Sequence, residues 1–142
     1  MVSIAQFSNP TPGSKNQQPD RDSDGIPDGW EDALGLDADN AQDAMQDPDG
    51  DGFTNLEEYS ANTDPLDSAD RLTAHVQRLN DNVILLTFPQ KAGRFYTIER
   101  AAGDGSWNTM QVLQSEPVSR TQQENIAGFG GGVYRIRVSL LE

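Results

Sequence analysis

The chain has no cysteine in its 142 residues, so disulfides, zinc–thiolate sites and cysteine nucleophiles are excluded. It has a single histidine, His75, which alone on a predicted strand makes neither a catalytic triad nor a zinc site and reads as structural or exposed. No apolar run reaches the length of a transmembrane helix. The G-x-S-x-G, P-loop and H-E-x-x-H motifs are all missing, and no enzymatic activity is expected. The opening MVSIAQFSNP lacks the basic and long apolar regions of a signal peptide, so the chain is expected to be part of a larger one. Basic residues are scarcest of all in residues 20–70. Arg21 stands there alone beside 17 acidic residues, a net charge of −16, whereas residues 71–142 carry +2 and the whole chain −13. That balance argues against nucleic acid or an anionic membrane as a partner, since both need a basic footprint. It fits a bound cation or a solvated acidic surface. The step in charge predicts three parts: a linker over 1–19, an acidic unit over 20–70 and a second unit over 71–142. Within the first, SNPTPGSKNQQP at 8–19 has prolines, a glycine and no apolar period.

The acidic unit repeats. A shift of 27 residues lays DRDSDGIPDGWE from Asp20 onto DPDGDGFTNLEE from Asp47. Every matched position carries an oxygen-bearing side chain or a turn glycine, so a site is repeated more than a core. The spacing is that of a calcium loop, D-x-[DN]-x-[DN]-G, with a further ligand at position nine and a bidentate Glu at twelve. In the first loop these are Asp20, Asp22, Asp24, Asp28 and Glu31, with a main-chain carbonyl at Ile26. In the second they are Asp47, Asp49, Asp51, Asn55 and Glu58, with the carbonyl at Phe53. Calcium takes roughly six to eight hard oxygen ligands. Short Asp side chains on alternate residues can converge on one point, Gly25 and Gly52 permit the sharp turn, and the longer Glu reaches back from the following helix. Two bound calcium ions are therefore expected. Asp37 and Asp64 repeat as well. They either add a carboxylate to a calcium site or cap the next turn, while Asp39, Asp43 and Asp67 read as solvated. A calcium sensor is disfavoured, because an exposable Met-rich groove is needed and only Met45 lies in this region. A glycosidase pair would need a cleft and a carboxyl of raised pKa, whereas calcium ligands stay ionised.

Short helices are expected after each loop. DGWEDALG sets Trp30, Ala33 and Leu34 near one face and stops at Gly35, and TNLEEYSAN sets Leu56 and Tyr59 similarly. Helices of two turns are marginal alone and must pack on each other, with Ile26 and Phe53 between them. Between the loops, LGLDADNAQDAMQ predicts a further short helix near 40–45 with Ala41, Ala44 and Met45 inward.

Beyond residue 70 the pattern changes. LTAHVQRL, VILLTF, RFYTIER, TMQVLQ and VYRIRVSLL read as strands, separated by turn signals at 80–82, 90–93, 102–106 and 127–132. Tyr134, Ile136 and Val138 share one face and Arg135 and Arg137 the other, as Tyr96 and Ile98 alternate with Thr97 and Glu99. The fold class expected is mixed and mainly β: a small calcium-binding loop–helix pair followed by an antiparallel β-sandwich. Trp107 is expected in its core, although an exposed Trp beside a loop could stack on a sugar. Arg78, Arg94, Arg100, Arg135 and Arg137 are expected on an outer, solvated face. AGFGGG reads as a hairpin end rather than a phosphate loop.

DRDSDGIPDGWE, DPDGDGFTNLEEY and NTDPLD resemble the thrombospondin type 3-like, EF-hand-like calcium repeats of large secreted bacterial proteins. In such proteins a repeat of this kind precedes a C-terminal β domain. FPQKAGRFYTIERAAGDGSWNTM and VYRIRV resemble that domain through Gly93, Arg94, Tyr96, Ile98, Glu99, Trp107 and residues 134–138. NPTPGSKN is similar to the closing stretch of lamin-tail-like domains of bacterial surface proteins. The stretch between the loops departs from the pattern by being longer than the linker of a compact repeat. The resemblance implies an extracellular or cell-surface, calcium-loaded, non-catalytic structural region, in which calcium rigidifies the link to the β domain. The alternative is a binding module appended to a secreted enzyme or adhesin. It would dock a protein partner through residues 20–70, as dockerins do, or a glycan through residues 71–142. Dockerin loops end in Asp, whereas Glu31 and Glu58 end these, and Gly35 cuts the first helix short.

Overall fold

A computed structural model describes residues 6–7, 18–81, 83–114, 120–127 and 132–140. Of the linker expected over 1–19, only Gln6, Phe7, Gln18 and Pro19 fall among them. The chain divides after Arg71 into two compact units, with Gln6 belonging to the later one.

The acidic unit holds α1 (Asp28–Leu34), a 3-10 turn (Asp43–Met45) and α2 (Asn55–Ala61). Each α-helix ends on a left-handed residue, Gly35 at φ 75° and Asn62 at φ 61°. The amides that follow return to the main-chain oxygen of the loop-closing glutamate, Leu36 to Glu31 at 2.9 Å and Thr63 to Glu58 at 3.0 Å. The helices meet through Trp30 and Tyr59, edge to face at 5.4 Å between centroids. Ile26 is fully buried and Phe53 half-buried. The turn between the loops departs from the helical expectation. It is a single 3-10 turn in which Asp43 and Ala44 face inward, while Ala41 and Met45 are exposed. Two inward neighbours in so short a turn are a matter of where polar and apolar partners lie, not of an apolar stripe.

The second unit is antiparallel β. β2 (His75–Asn80), β3 (Val83–Gln90) and β6 (Arg120–Ala127) form one sheet in the order β2-β3-β6. β1 (Gln6–Phe7), β4 (Arg94–Ala101), β5 (Trp107–Gln114) and β7 (Tyr134–Leu140) form the other, in the order β1-β7-β4-β5. The buried face of β3, with Ile84, Leu86 and Phe88, meets that of β4 and β7, with Tyr96, Ile98, Ile136 and Val138. Phe88 and Tyr96 lie 5.3 Å apart between ring centroids and join the two sheets. Period-2 alternation thus produces the core it predicts. β6 escapes that reading because RTQQENIA has almost no apolar residues, yet its backbone pairs with β3 from Val83↔Ala127 to Gln90↔Arg120.

Two expectations for this unit need correction. Trp107 is not in the core. It is half-buried, with the Arg135 guanidinium 4.1 Å over its ring. The five arginines do not share one solvated face either. Arg94 is buried, Arg78 pairs with Asp81 on an exposed strand, and Arg135 and Arg137 converge on the buried Glu99. A register shift between Ile98 and Glu99 accompanies the inward turn of that carboxylate. His75 is exposed, and AGFGGG lies largely outside the described residues.

Candidate metal centre

In each loop the aspartate side chains accept hydrogen bonds from the loop's own amides. In the first, one oxygen of Asp20 accepts from the Ser23 amide (2.7 Å) and the other from Gly25. Asp22 Oδ1 accepts from the Asp24 amide, and Asp24 Oδ1 from Ile26 (2.7 Å). The second loop repeats this bond for bond, Asp47 with Gly50 and Gly52, Asp49 with Asp51, Asp51 with Phe53. Gly25 and Gly52 take φ of 98° and 97°, open to glycine at little cost.

In each alternating Asp of a loop after the first, one oxygen is used by the backbone and the other is left over. Asp22 Oδ2, Asp24 Oδ2, Asp49 Oδ2 and Asp51 Oδ2 are buried and accept no hydrogen bond. The same holds for both carboxylate oxygens of Glu31 and of Glu58, which are 0% and 1% exposed. Ligand oxygens of Asp20, Asp22 and Asp24 lie within 4.8 Å of one another, as do those of Asp47, Asp49 and Asp51. Burial, with Asp24 and Asp22 close by, pushes the Glu31 carboxyl up to about 7. Burial, with Asp49 and Asp51 close by, pushes Glu58 up to about 7. Burial also raises Asp24 and Asp49. Bare carboxylate oxygens held together without donors are costly, because each loses water and gains only repulsion. A hard divalent cation reverses both terms, and an all-oxygen donor set suits calcium, magnesium or manganese.

Position nine behaves differently from the other predicted ligands. Asp28 takes the Arg21 amide at 2.8 Å on one oxygen and the Arg21 guanidinium at 3.0 Å on the other. Asn55 donates Nδ2 to the main-chain oxygen of Asp43 at 2.8 Å, and its Oδ1 is left without a donor. The reason lies at position two, where the second loop has Pro48 and so no amide to match that of Arg21. Asp37 and Asp64 cap local turns through Asp39 and Leu66 amides and stand outside the three groups of clustered carboxylates found among the described residues.

Asp43, expected to be solvated, is instead 5% exposed. It forms a cluster with Asp24 and Glu31, again within 4.8 Å. Its Oδ2 accepts from the Asp37 amide and its Oδ1 accepts nothing. A signal for it was available in the 27-residue shift, which continues past the loops. Asn40 and Asp43 amides return to the oxygens of Asp37 and Asn40, and Asp67 and Asp70 amides to those of Asp64 and Asp67. Asp70, the counterpart of Asp43, stands outside the cluster of Asp47, Asp49 and Asp51.

Residues 47–68 match the bacterial TSP3 repeat. The match spans the second loop, α2 and the Asp64 turn, and the first loop copies its geometry. No curated protein and no solved structure matches the chain. TSP3 repeats bind calcium in general and are typical of extracellular proteins, and the clustered acidic groups here are able to hold such an ion. Among the described residues no helix is long and apolar enough to cross a membrane.

Proposed function

We propose that this chain is a non-catalytic calcium-binding connector of an extracellular bacterial protein, in which two calcium ions organise residues 20–70, followed in the chain by a β-sandwich unit. The observation that carries this reading is the pair Glu31 and Glu58. Each is buried at the end of its loop with both oxygens accepting no hydrogen bond. The first ion would be held by Asp20, Asp22, Asp24 and Glu31, the second by Asp47, Asp49, Asp51 and Glu58, with Ile26 and Phe53 offering main-chain carbonyls. Calcium is favoured over magnesium because a bidentate Glu and a flexible set of about seven oxygens suit the larger ion. Extracellular modules work with affinities of about 10⁻⁴–10⁻³ M, within reach of extracellular calcium. In a unit of this size with so few buried apolar side chains, the ions add a large share of the stability.

The β unit is read as the partner of the connector. Stacking of a sugar on Trp107 is disfavoured, since Arg135 covers one face of its ring. The test is a calorimetric calcium titration of chelator-stripped protein, with thermal melting in parallel. Two ions bound and a raised melting temperature are expected. No heat of binding and an unchanged melt would overturn the reading.

A further inference from the structure

Asn55 links the second loop to the turn that follows the first. Asn55 opens α2, the helix that carries Glu58. Its Nδ2 reaches the main-chain oxygen of Asp43 at 2.8 Å, and its own amide reaches the Gln46 oxygen at 2.9 Å. Asp43 meanwhile points its carboxylate at Asp24 and Glu31 of the first site. Asn55 is completely buried, so water does not compete for the bond. The first helix has no such link, because Asp28 in the same place is occupied by Arg21 within its own loop.

We propose that Asn55 is a positioning residue that couples the two cation sites, through Asp43, so that they fill cooperatively. An ion in the first site draws in the unpartnered Oδ1 of Asp43 and fixes the 3-10 turn. The fixed Asp43 carbonyl then holds Asn55 and the start of α2, and with it Glu58 three residues on. The second ion meets a site already ordered and loses less entropy on binding. By reciprocity the second ion favours the first to the same extent. This rests on the calcium reading above.

The experiment follows the Gly25 and Gly52 amide resonances of the full chain during calcium titration, one reporter for each loop. In the parent protein the two should move with a common midpoint. With Glu31→Gln, which disables the first site, the Gly52 midpoint should rise by at least about fivefold, the low end of measured couplings. With Asn55→Ala the two midpoints should separate, and adding Glu31→Gln should no longer move the Gly52 midpoint. Should Glu31→Gln fail to fold, Asp22→Asn replaces it, an isosteric change that keeps the bond to the Asp24 amide. A Gly52 midpoint indifferent to the first-site change in the parent background overturns the coupling but leaves the calcium reading intact. If neither glycine responds to calcium, the calcium reading fails and the coupling falls with it.

Discussion

Asp28 and Asn55 occupy the same place in two 27-residue units and turn in opposite directions. Asp28 looks back into its own loop, to the amide and guanidinium of Arg21. Asn55 looks out of its loop, to the main-chain oxygen of Asp43. A carboxylate at 55 could not do this, because it would bring an acceptor against an acceptor. Asn55→Asp should therefore destabilise the metal-free protein by about 1–3 kcal/mol, the cost of leaving buried polar groups unsatisfied. Urea unfolding in chelator measures it.

The pH dependence of the metal-free protein should be inverted relative to most folds. Glu31 and Glu58 are raised to about 7 by burial and by the carboxylates around them. Between the ordinary glutamate value and 7 the folded state holds more protons than the unfolded one, so stability falls as pH rises through that window. The melting temperature of residues 20–70 in chelator should be higher at pH 5 than at pH 8. Calcium should reverse the trend, because it binds the ionised carboxylates, and should release protons near pH 6–7. Titrations in buffers of different ionisation enthalpy count those protons. A metal-free melt that climbs from pH 5 to pH 8 contradicts the assignment.

Helix α2 carries a reciprocal cap that α1 lacks. The Thr54 side chain accepts from the Glu57 amide while the Glu57 carboxylate accepts from the Thr54 amide, whereas Pro27 in the same place offers no side-chain cap. Thr54→Ala should cost about 0.5–2 kcal/mol. Amide exchange should quicken in α2 first.

In the β unit Glu99 is nearly buried between Arg135 and Arg137, the first pair well shielded and the second more exposed. Glu99→Ala should destabilise this unit by about 3–5 kcal/mol, because it removes one half of a largely buried ion pair. Arg137→Ala should cost about 0–1 kcal/mol. Calcium stoichiometry should be unaffected by either, which calorimetry checks directly.

The sequence announced the loops because their chemistry is compressed into twelve residues with fixed spacing. It announced most strands because Ile84, Tyr96 and Ile136 alternate with polar neighbours. It did not announce Asp43, because a carboxylate outside the motif looks like any solvated acid until the fold brings it to Glu31. β6 was hidden for the opposite reason: its strand character resides in backbone pairing with β3 and not in its side chains. Trp107 and Glu99 changed places relative to expectation. A cationic side chain can cover an indole at the surface, and two arginines can hold a carboxylate inside.

The main-chain oxygen of Pro19 receives the amide that starts α1, and 27 residues later that of Gln46 receives the amide that starts α2. Each unit therefore begins on the last residue of whatever precedes it, like bricks with one mortar joint. The interval between the two joints is 27 residues, the same shift that lays one loop on the other. Removing the first course, residues 20–46, keeps this joint but takes away the Asp43 oxygen to which Asn55 donates, so the two courses are not interchangeable.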